Sequence, residues 1–72
     1  MAQQHNQPWD ARRIQYLRYR LGKASGSRRG ISQVIFAERV GVGVRTIAQW
    51  EAGHAQPSTM SAFALDELEA EV

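Results

Sequence analysis

Cysteine is absent from this 72-residue sequence. Without thiols the chain forms no disulfide, binds no zinc through cysteine and has no thiol nucleophile, and its composition fits a reducing compartment. A single core in a chain this short supplies only about 3–5 kcal/mol, so close helix packing or a second subunit must add to its stability. We therefore expect one small domain rather than a monomeric enzyme with a deep pocket.

Long apolar segments are missing as well. No part of the sequence approaches the roughly 20 apolar residues that a membrane-spanning helix needs. Residues 1–9 lack the apolar middle of a signal peptide. We expect a cytoplasmic protein with no membrane association.

Basic residues are missing from the last part of the chain. Residues 46–72 contain no lysine or arginine and carry a net charge of −5. All nine basic residues precede them, accompanied only by Asp10 and Glu38, so residues 1–45 carry +7. Clustered cations gain free energy by displacing counterions from a polyanion. Charge alone nevertheless favours the simpler interpretation, solvated arginines on helix faces, so a nucleic-acid partner needs support from a motif.

Apolar residues recur at helical spacing in four segments, and no stretch alternates for long enough to form a strand. The sequence therefore predicts an all-α domain of four helices. Tyr16 and Tyr19 either complete the apolar side of the first helix or lie on the surface. The predicted core positions are Ile14, Leu17 and Leu21, then Phe36, Ala37 and Val40, then Ile47 and Trp50. The fourth helix carries Met60, Phe63, Ala64, Leu65 and Leu68. Its nonpolar side, with Phe63, Ala64 and Leu68, either completes the core or joins a second subunit.

Local signals mark the ends of these helices. Asp10, Ser32 and Ser58 are typical N-caps, whereas Gly43, before the third helix, is a weaker one. Gly41 suits the left-handed conformation that ends a helix. Two segments should be irregular. Residues 1–8 form a polar and flexible N-terminal arm, ahead of a domain that spans residues 9–72. Residues 22–30 form a flexible loop, because they contain three glycines, two serines and three cations.

The second and third predicted helices are joined only by Gly41-Val42-Gly43. Ala37 is small enough for two helix axes to approach closely, and Ile47 with Trp50 can hold the third helix against the core. Two short helices with such a glycine turn are typical of a helix-turn-helix, whose second helix can lie in the DNA major groove.

These residues resemble a known family, the phage-repressor Cro/cI-type (XRE) helix-turn-helix family. The resemblance covers about residues 12–68 and implies a compact, lambda repressor-like fold. The run VGVRTIAQWEAGHAQPS is especially similar to short antitoxin-like and autoregulator members. The matching positions are Ser32-Gln33, Phe36-Ala37, Val40-Gly41-Val42, Thr46-Ile47, Trp50-Glu51, Gly53 and Pro57-Ser58.

The resemblance also implies the residues that would contact DNA. Base contacts fall on Gly43, Val44, Arg45 and Gln49. Arg45 suits guanine, Gln49 suits adenine, and Val44 suits a thymine methyl group. Phosphate contacts fall on Gln33, at the start of the second helix, and on Thr46 and His54. The family often pairs an arginine late in the first helix with the glutamate after the second helix of the motif. Arg18 and Glu51 occupy those positions, which implies an ion pair between them.

Three features depart from the family pattern. Residues 23–30 add about eight residues before the motif, and they are either a spacer or a source of further phosphate contacts from Arg28 and Arg29. Gly43 replaces a polar cap, which removes one expected contact to DNA. Val34 and Ile35 are apolar where the family is frequently polar, so they are either a packing detail or a partner surface.

Chemistry of other kinds has little support. His5 and His54 lack companion ligands for a metal, and no serine has a histidine and an acid in a credible triad. The acids near the C-terminus are interpreted as a solvated helix end and not as paired catalytic acids. Their charge is mildly unfavourable there, because it opposes the helix dipole. We expect no enzyme activity, no catalytic residue, no metal and no cofactor.

Together these patterns predict a regulator of transcription that binds double-stranded DNA. We expect a homodimeric repressor acting on a palindromic operator, of the kind that autoregulates a phage or mobile-element operon. One alternative is an antitoxin that binds a partner toxin and also its own operator. A protein-binding adaptor, which would keep the fold without reading bases, remains a second alternative.

Overall fold

The computed structural model describes residues 8–72, and this range contains four helices and no strand. The helices are α1 (Ala11–Ala24), α2 (Gln33–Val40), α3 (Val44–Glu51) and α4 (Thr59–Glu69). The predicted all-α architecture is confirmed. Of the predicted N-terminal arm, residues 1–7 lie outside the described residues. None of the helices within residues 8–72 is long and apolar enough to cross a membrane.

Three of the four helices begin at the caps that the sequence predicts. In each case the side-chain oxygen accepts a hydrogen bond from a backbone N–H three residues later, which satisfies one of the unpaired donors of the first turn. Gly43 precedes α3 and has no side chain to do the same. The capping pairs are Asp10 with Arg13 at 2.9 Å, Ser32 with Ile35 at 3.1 Å and Ser58 with Ser61 at 3.2 Å.

One apolar core receives side chains from all four helices. Ile14, Phe36, Ile47 and Leu65 come from α1 to α4 in turn, and each is fully buried. Burying an apolar side chain of this size contributes about 1.5–3 kcal/mol. Burial of these side chains therefore helps to hold the four short helices together. The other buried apolar side chains of the core are Trp9, Leu17, Leu21, Ala37, Val40, Trp50 and Leu68.

Two large apolar residues of the fourth helix do not complete the core. Met60 and Phe63 are 76% and 61% exposed. They lie on the side of α4 opposite Leu65 and Leu68, the two residues through which the helix is buried. A helix at the edge of a small domain has only one neighbouring side to bury, so the apolar positions on its other side remain in water.

Trp9 is a core residue that the sequence reading did not identify. It lies just before the cap Asp10 and is 6% exposed. Its indole nitrogen donates a 2.9 Å hydrogen bond to Asp66 in α4, and the Arg13 guanidinium lies 3.7 Å from its ring centroid. The sequence does contain a signal for the burial of Trp9. An apolar residue just before an N-cap often packs against the residue five positions later, which is here Ile14.

The loop between α1 and α2 starts later than the sequence predicts. α1 continues through Gly22 to Ala24, so the prediction of a loop from residue 22 is wrong at that end. The chain then folds back onto α1, and the N–H of Ser27 donates to the Gly22 carbonyl at 2.8 Å. A Cβ atom on Gly22 would lie 2.1 Å from the Arg29 carbonyl oxygen. Glycine is therefore required for close backbone contact inside the helix rather than for flexibility.

The acids of the C-terminal segment are solvated only in part as predicted: Glu67 is exposed without a side-chain partner among the described residues, whereas the other three pair with distant side chains. Asp66 accepts from Trp9, as described above. The Arg13 guanidinium donates to Glu69 at 3.0 Å, and that of Arg39 donates to Glu71 at 2.7 Å. These contacts join α4 and the residues after it to α1 and α2, so the opposite charges of the two parts of the chain meet within the fold.

The helix-turn-helix consists of α2, α3 and the turn between them. Gly41 has φ +92°, in the left-handed region that glycine adopts readily, as predicted. The N–H groups of Gly41 and Val42 both donate to the Ala37 carbonyl, at 2.8 and 3.0 Å. This turn packs α2 against α3, and it gives α3 a buried side and a free side.

Candidate nucleic-acid interface

The two sides of α3 differ sharply. Ile47 and Trp50 are 0% and 3% exposed and face the core. Val44, Arg45 and Gln49, three of the residues expected to read bases, are all exposed. An α-helix with one rigidly packed side and one polar side in solvent has the shape required to enter the major groove.

Gly43, the fourth expected base-contacting residue, is exposed at the N-terminal end of α3. It makes no side-chain cap, so the first-turn N–H groups of the helix have no polar side chain in front of them. Apart from the two residues next to it in the chain, no described residue has an atom within 4 Å of the position that a Cβ would take there. A DNA backbone or base edge can therefore approach this end of α3 closely.

Glu51 anchors the other end of α3 to two different helices. Its carboxylate, 8% exposed, accepts two hydrogen bonds from the Arg18 guanidinium in α1, at 2.8 and 3.0 Å. It also accepts one from the Gln33 amide at the start of α2, at 3.0 Å. The Gln15 amide in α1 donates to the Glu51 carbonyl at 2.9 Å. A bidentate arginine pair is geometrically strict, so α3 has a fixed orientation relative to α1 and α2.

The Arg18 guanidinium extends this network to the loop before α2. Its remaining terminal nitrogen donates to the Ile31 carbonyl at 2.8 Å. In return, the N–H of Ile31 donates to the Arg18 carbonyl at 3.3 Å. The chain entering α2 is therefore held by the same side chain that holds α3.

The residues expected to contact phosphates are arranged around α3 in different ways. Gln33 is half-buried and already engaged with Glu51. Thr46 is half-buried on the first turn of α3, and His54 is exposed in the turn after it, with its N–H bonded to the Gln49 carbonyl at 2.9 Å. Arg28 and Arg29 are exposed in the loop between α1 and α2. Contact of these residues with DNA remains a prediction.

Positive charge is left over after the internal ion pairs form. Three arginines are paired with glutamates in α3 and in the C-terminal segment. The other cations of residues 8–72 form no ion pair with a described carboxylate, and they lie on α1, in the following loop and on α3. They are Arg12, Arg20, Lys23, Arg28, Arg29 and Arg45. Within the same range, no three histidine, aspartate or glutamate side chains come together as a possible metal site.

Comparison with known proteins agrees with this geometry. Residues 28–68, more than half of the chain, match the helix-turn-helix family, and the matched segment contains α2, α3 and nearly all of α4. No curated protein and no solved structure matches the chain. The chain belongs to the helix-turn-helix family, of the Cro/cI (XRE) type, which confirms the family resemblance.

That family is one of DNA-binding regulators and not of enzymes. The protein is accordingly a DNA-binding regulator of transcription. Its α3 occupies the position of the second helix of the motif, the helix that enters the groove.

Proposed function

We propose that this protein is a homodimeric repressor that binds a palindromic operator through the exposed side of α3. The observation that carries this proposal is the arrangement of Val44, Arg45 and Gln49 on a helix whose other side is packed into the core and whose end is held by Glu51. A rigid helix presents its side chains to base edges without losing much further conformational entropy on binding.

The chemistry of the three side chains assigns their roles. The Arg45 guanidinium donates two parallel hydrogen bonds to guanine, the Gln49 amide pairs with adenine, and the Val44 methyl groups contact the thymine methyl. Gln33, Thr46 and His54 bind phosphates beside the groove. Three side chains from one helix distinguish only a few base pairs, and a second subunit on the other half-site multiplies the discrimination.

Repression follows from occupancy, because a bound dimer blocks polymerase at an overlapping promoter. The family setting favours autoregulation of a phage or mobile-element operon. The proposed operator has two inverted half-sites about one helical turn apart, since both α3 helices must reach the same side of the duplex.

Selection of bound sequences from random duplexes, read together with the mass of the protein in solution, tests this proposal. We expect a palindromic consensus and a mass of two subunits on the DNA. A single non-repeated site bound by one subunit would contradict the dimer. Binding without any sequence preference would contradict base reading by α3.

A second candidate function has its own observation. Val34 and Ile35 are neighbours on α2 and are 54% and 48% exposed. An adjacent apolar pair in solvent is a feature of surfaces that bind proteins. It favours an antitoxin that neutralises a toxin protein and also binds its own operator.

Co-expression with the product of the neighbouring gene separates the two functions. If the protein is an antitoxin, that product arrests growth alone, the wild-type chain relieves the arrest, and Val34→Ser with Ile35→Ser abolishes relief while leaving operator affinity unchanged. A neighbouring product that is harmless when expressed alone leaves the simple repressor as the function.

A further inference from the structure

The outward side of α1 carries cations and aromatic rings, and the helix contains no acidic residue. Four of these positions lie within roughly 40° of the point opposite the buried Ile14, and Arg20 lies at the border. The Tyr16 and Tyr19 side chains are 60% and 42% exposed, so this side is unusually aromatic for a surface in solvent. The five residues, which we call the basic stripe, are Arg12, Tyr16, Tyr19, Arg20 and Lys23.

The side chains of the basic stripe contact each other. The Tyr16 and Tyr19 rings stack with centroids 6.4 Å apart, and the Arg20 guanidinium lies 5.8 Å from the Tyr16 centroid. The Lys23 ammonium lies 5.9 Å from the Tyr19 centroid. Positive charge and aromatic faces are therefore presented together, with no partner carboxylate among residues 8–72.

Half of the cations that the internal ion pairs leave over belong to the basic stripe. These are Arg12, Arg20 and Lys23, whereas Arg45 alone lies on α3 and the other two lie in the loop after α1. Base reading by α3 therefore accounts for little of the surplus positive charge. A surface with this much unpaired charge suits an anionic ligand of its own.

The basic stripe points away from α3. α1 meets the end of α3 through Arg18, whose guanidinium bonds Glu51. Tyr16 and Lys23 lie roughly 160° and 140° around the helix from Arg18. A duplex along the free side of α3 therefore leaves the basic stripe uncovered, and the two surfaces are available at the same time.

The surface around the basic stripe is an open track rather than an enclosed pocket. A cleft of about 460 Å³ at its C-terminal end is lined by four of its side chains together with Val72. A second cleft, of about 610 Å³, lies at the other end and includes Arg12 and Asp10, the cap of α1. Tyr16 lines both clefts. From Arg12 to Lys23 the track is about 16 Å long, which suits a flexible chain better than a small compact ligand.

The combination of cations with exposed aromatic rings favours one class of chain. Proteins that bind single-stranded nucleic acid use cations along the backbone and aromatic side chains on which unpaired bases stack. A duplex offers only its phosphates to such a surface, because its bases are already stacked inside. An acidic peptide would use the cations alone, since the face of a tyrosine ring carries partial negative charge and does not attract a carboxylate.

We infer that the basic stripe binds a single strand of nucleic acid, DNA or RNA. Unpaired bases stack on the rings of Tyr16 and Tyr19, and the phosphates pair with Arg12, Arg20 and Lys23. The strand site requires neither the homodimer nor the operator. One protomer therefore holds a duplex on α3 and a single strand on α1 together.

Fluorescence anisotropy of labelled oligo-dT and oligo-U, each of about 12 nucleotides, tests the inference on the full chain. The slope of log K against log salt should be about −2, which is three phosphate contacts at −0.7 each. Tighter binding of one strand identifies DNA or RNA as the source, and either preference supports the strand site. A strand that does not bind at about 50 mM salt overturns it.

Replacement of the rings separates stacking from charge. Tyr16→Ala with Tyr19→Ala should weaken strand binding by roughly 5- to 150-fold for each stacked base, whereas Tyr16→Phe with Tyr19→Phe should bind like the wild type because both rings remain. Thermal unfolding followed by circular dichroism checks that the variants are folded, which we expect because both side chains are exposed. Unchanged affinity in the folded alanine variant overturns the inference.

A matched pair of charge variants locates the strand. Lys23→Ala and Arg45→Ala each remove one exposed cation that no described carboxylate pairs with. Lys23→Ala should weaken strand binding and leave operator preference unchanged, and Arg45→Ala should do the reverse. Equal loss of strand affinity in the two variants, or a loss in Arg45→Ala alone, would place the strand on α3 and overturn the inference.

Competition completes the test. Excess operator duplex should not displace the labelled strand from the wild-type chain, and displacement would mean that both ligands use one surface. An oligoglutamate peptide of the same length that binds more tightly than the strand would assign the basic stripe to an acidic protein instead. A chain that binds the strand through its tyrosines but has no duplex preference supports the strand site and removes the proposed repressor.

Discussion

Arg45 is the side chain that contributes most to the proposed sequence recognition. It lies in the first turn of α3 and is exposed, and no described carboxylate pairs with it. Its guanidinium is therefore free to form two hydrogen bonds with one guanine, a geometry that lysine cannot reproduce.

Arg45→Ala should lose about 1–3 kcal/mol of binding free energy on the selected operator and much less on a scrambled duplex. Fluorescence anisotropy titrations of both duplexes measure the difference. Arg39→Ala is the control, because this arginine lies on α2 and is paired with Glu71. Equal losses on the two duplexes would assign Arg45 to phosphate binding instead of base reading.

Gly22 illustrates a different constraint on a single residue. Alanine is normally favoured over glycine within a helix by about 1 kcal/mol. At this position the added carbon would lie 2.1 Å from the Arg29 carbonyl oxygen and 2.7 Å from the Gly30 backbone. Both obstacles are main-chain atoms, so the loop itself would have to move.

Gly22→Ala should lower the free energy of unfolding by about 1–3 kcal/mol, the usual cost of overpacking, despite its better helix propensity. Urea unfolding followed by tryptophan fluorescence measures it, since Trp9 and Trp50 are both buried. Gly43→Ala is the control, with φ −77° and, apart from its two chain neighbours, no described residue within 4 Å of the new carbon. An equally large loss of unfolding free energy in Gly43→Ala would mean that the effect comes from replacing a glycine near a helix end and not from the close backbone contact at Gly22.

Among the helices, α3 depends on contacts at its C-terminal end. Glu51 joins it to α1 through Arg18 and to α2 through Gln33, whereas its N-terminal end has no side-chain cap. The orientation of the reading helix is therefore set by one nearly buried carboxylate. Its loss leaves a guanidinium and an amide without their acceptor.

Glu51→Ala should lower the free energy of unfolding by about 2–3 kcal/mol. This is below the cost of breaking a fully buried pair, because Arg18 keeps 26% of its side chain exposed. Glu71→Ala is the control: its pair with Arg39 is exposed on both sides, and it should cost about 0–1 kcal/mol. Urea unfolding of both variants tests this, and equal losses would refute a special role for Glu51.

Basic and acidic residues are separated along the sequence, and folding brings some of them together as ion pairs. The acidic C-terminal part pairs with Arg13 and Arg39, and Glu51 pairs with Arg18, which leaves the remaining cations on α1, the loop and α3. Folding thus neutralises some of the +7 of residues 1–45 and leaves the rest at the surface. Affinity for DNA should depend steeply on salt.

Arg28→Ala with Arg29→Ala should reduce the slope of log K against log salt by about 0.9 for each phosphate contact removed, with base preference unchanged. Anisotropy titrations from about 50 to 200 mM salt cover the range in which counterion release is readily measured. An unchanged slope would identify residues 23–30 as a spacer. A changed base preference would mean that the loop enters a groove.

Much of this protein follows from local sequence. Ser32 and Ser58 cap helices because the N–H that each satisfies is three residues away, and Gly41 ends α2 because only glycine adopts its φ without strain. Periodicity places Phe36 and Ile47 in the core. The family resemblance, which also depends on short-range spacing, aligns Arg18 with Glu51.

Contacts between residues that are far apart in the sequence could not be predicted from local patterns, and only the tertiary structure shows them. Trp9 meets Asp66 across 57 positions, and the backbones at Gly22 and Gly30 touch only because the loop folds back. A helical pattern shows which residues share a side but not what covers that side, so the exposure of Phe63 was not predictable. Short-range geometry determines helices, caps and turns, whereas packing in three dimensions decides which sides and charges remain available for DNA or a second subunit.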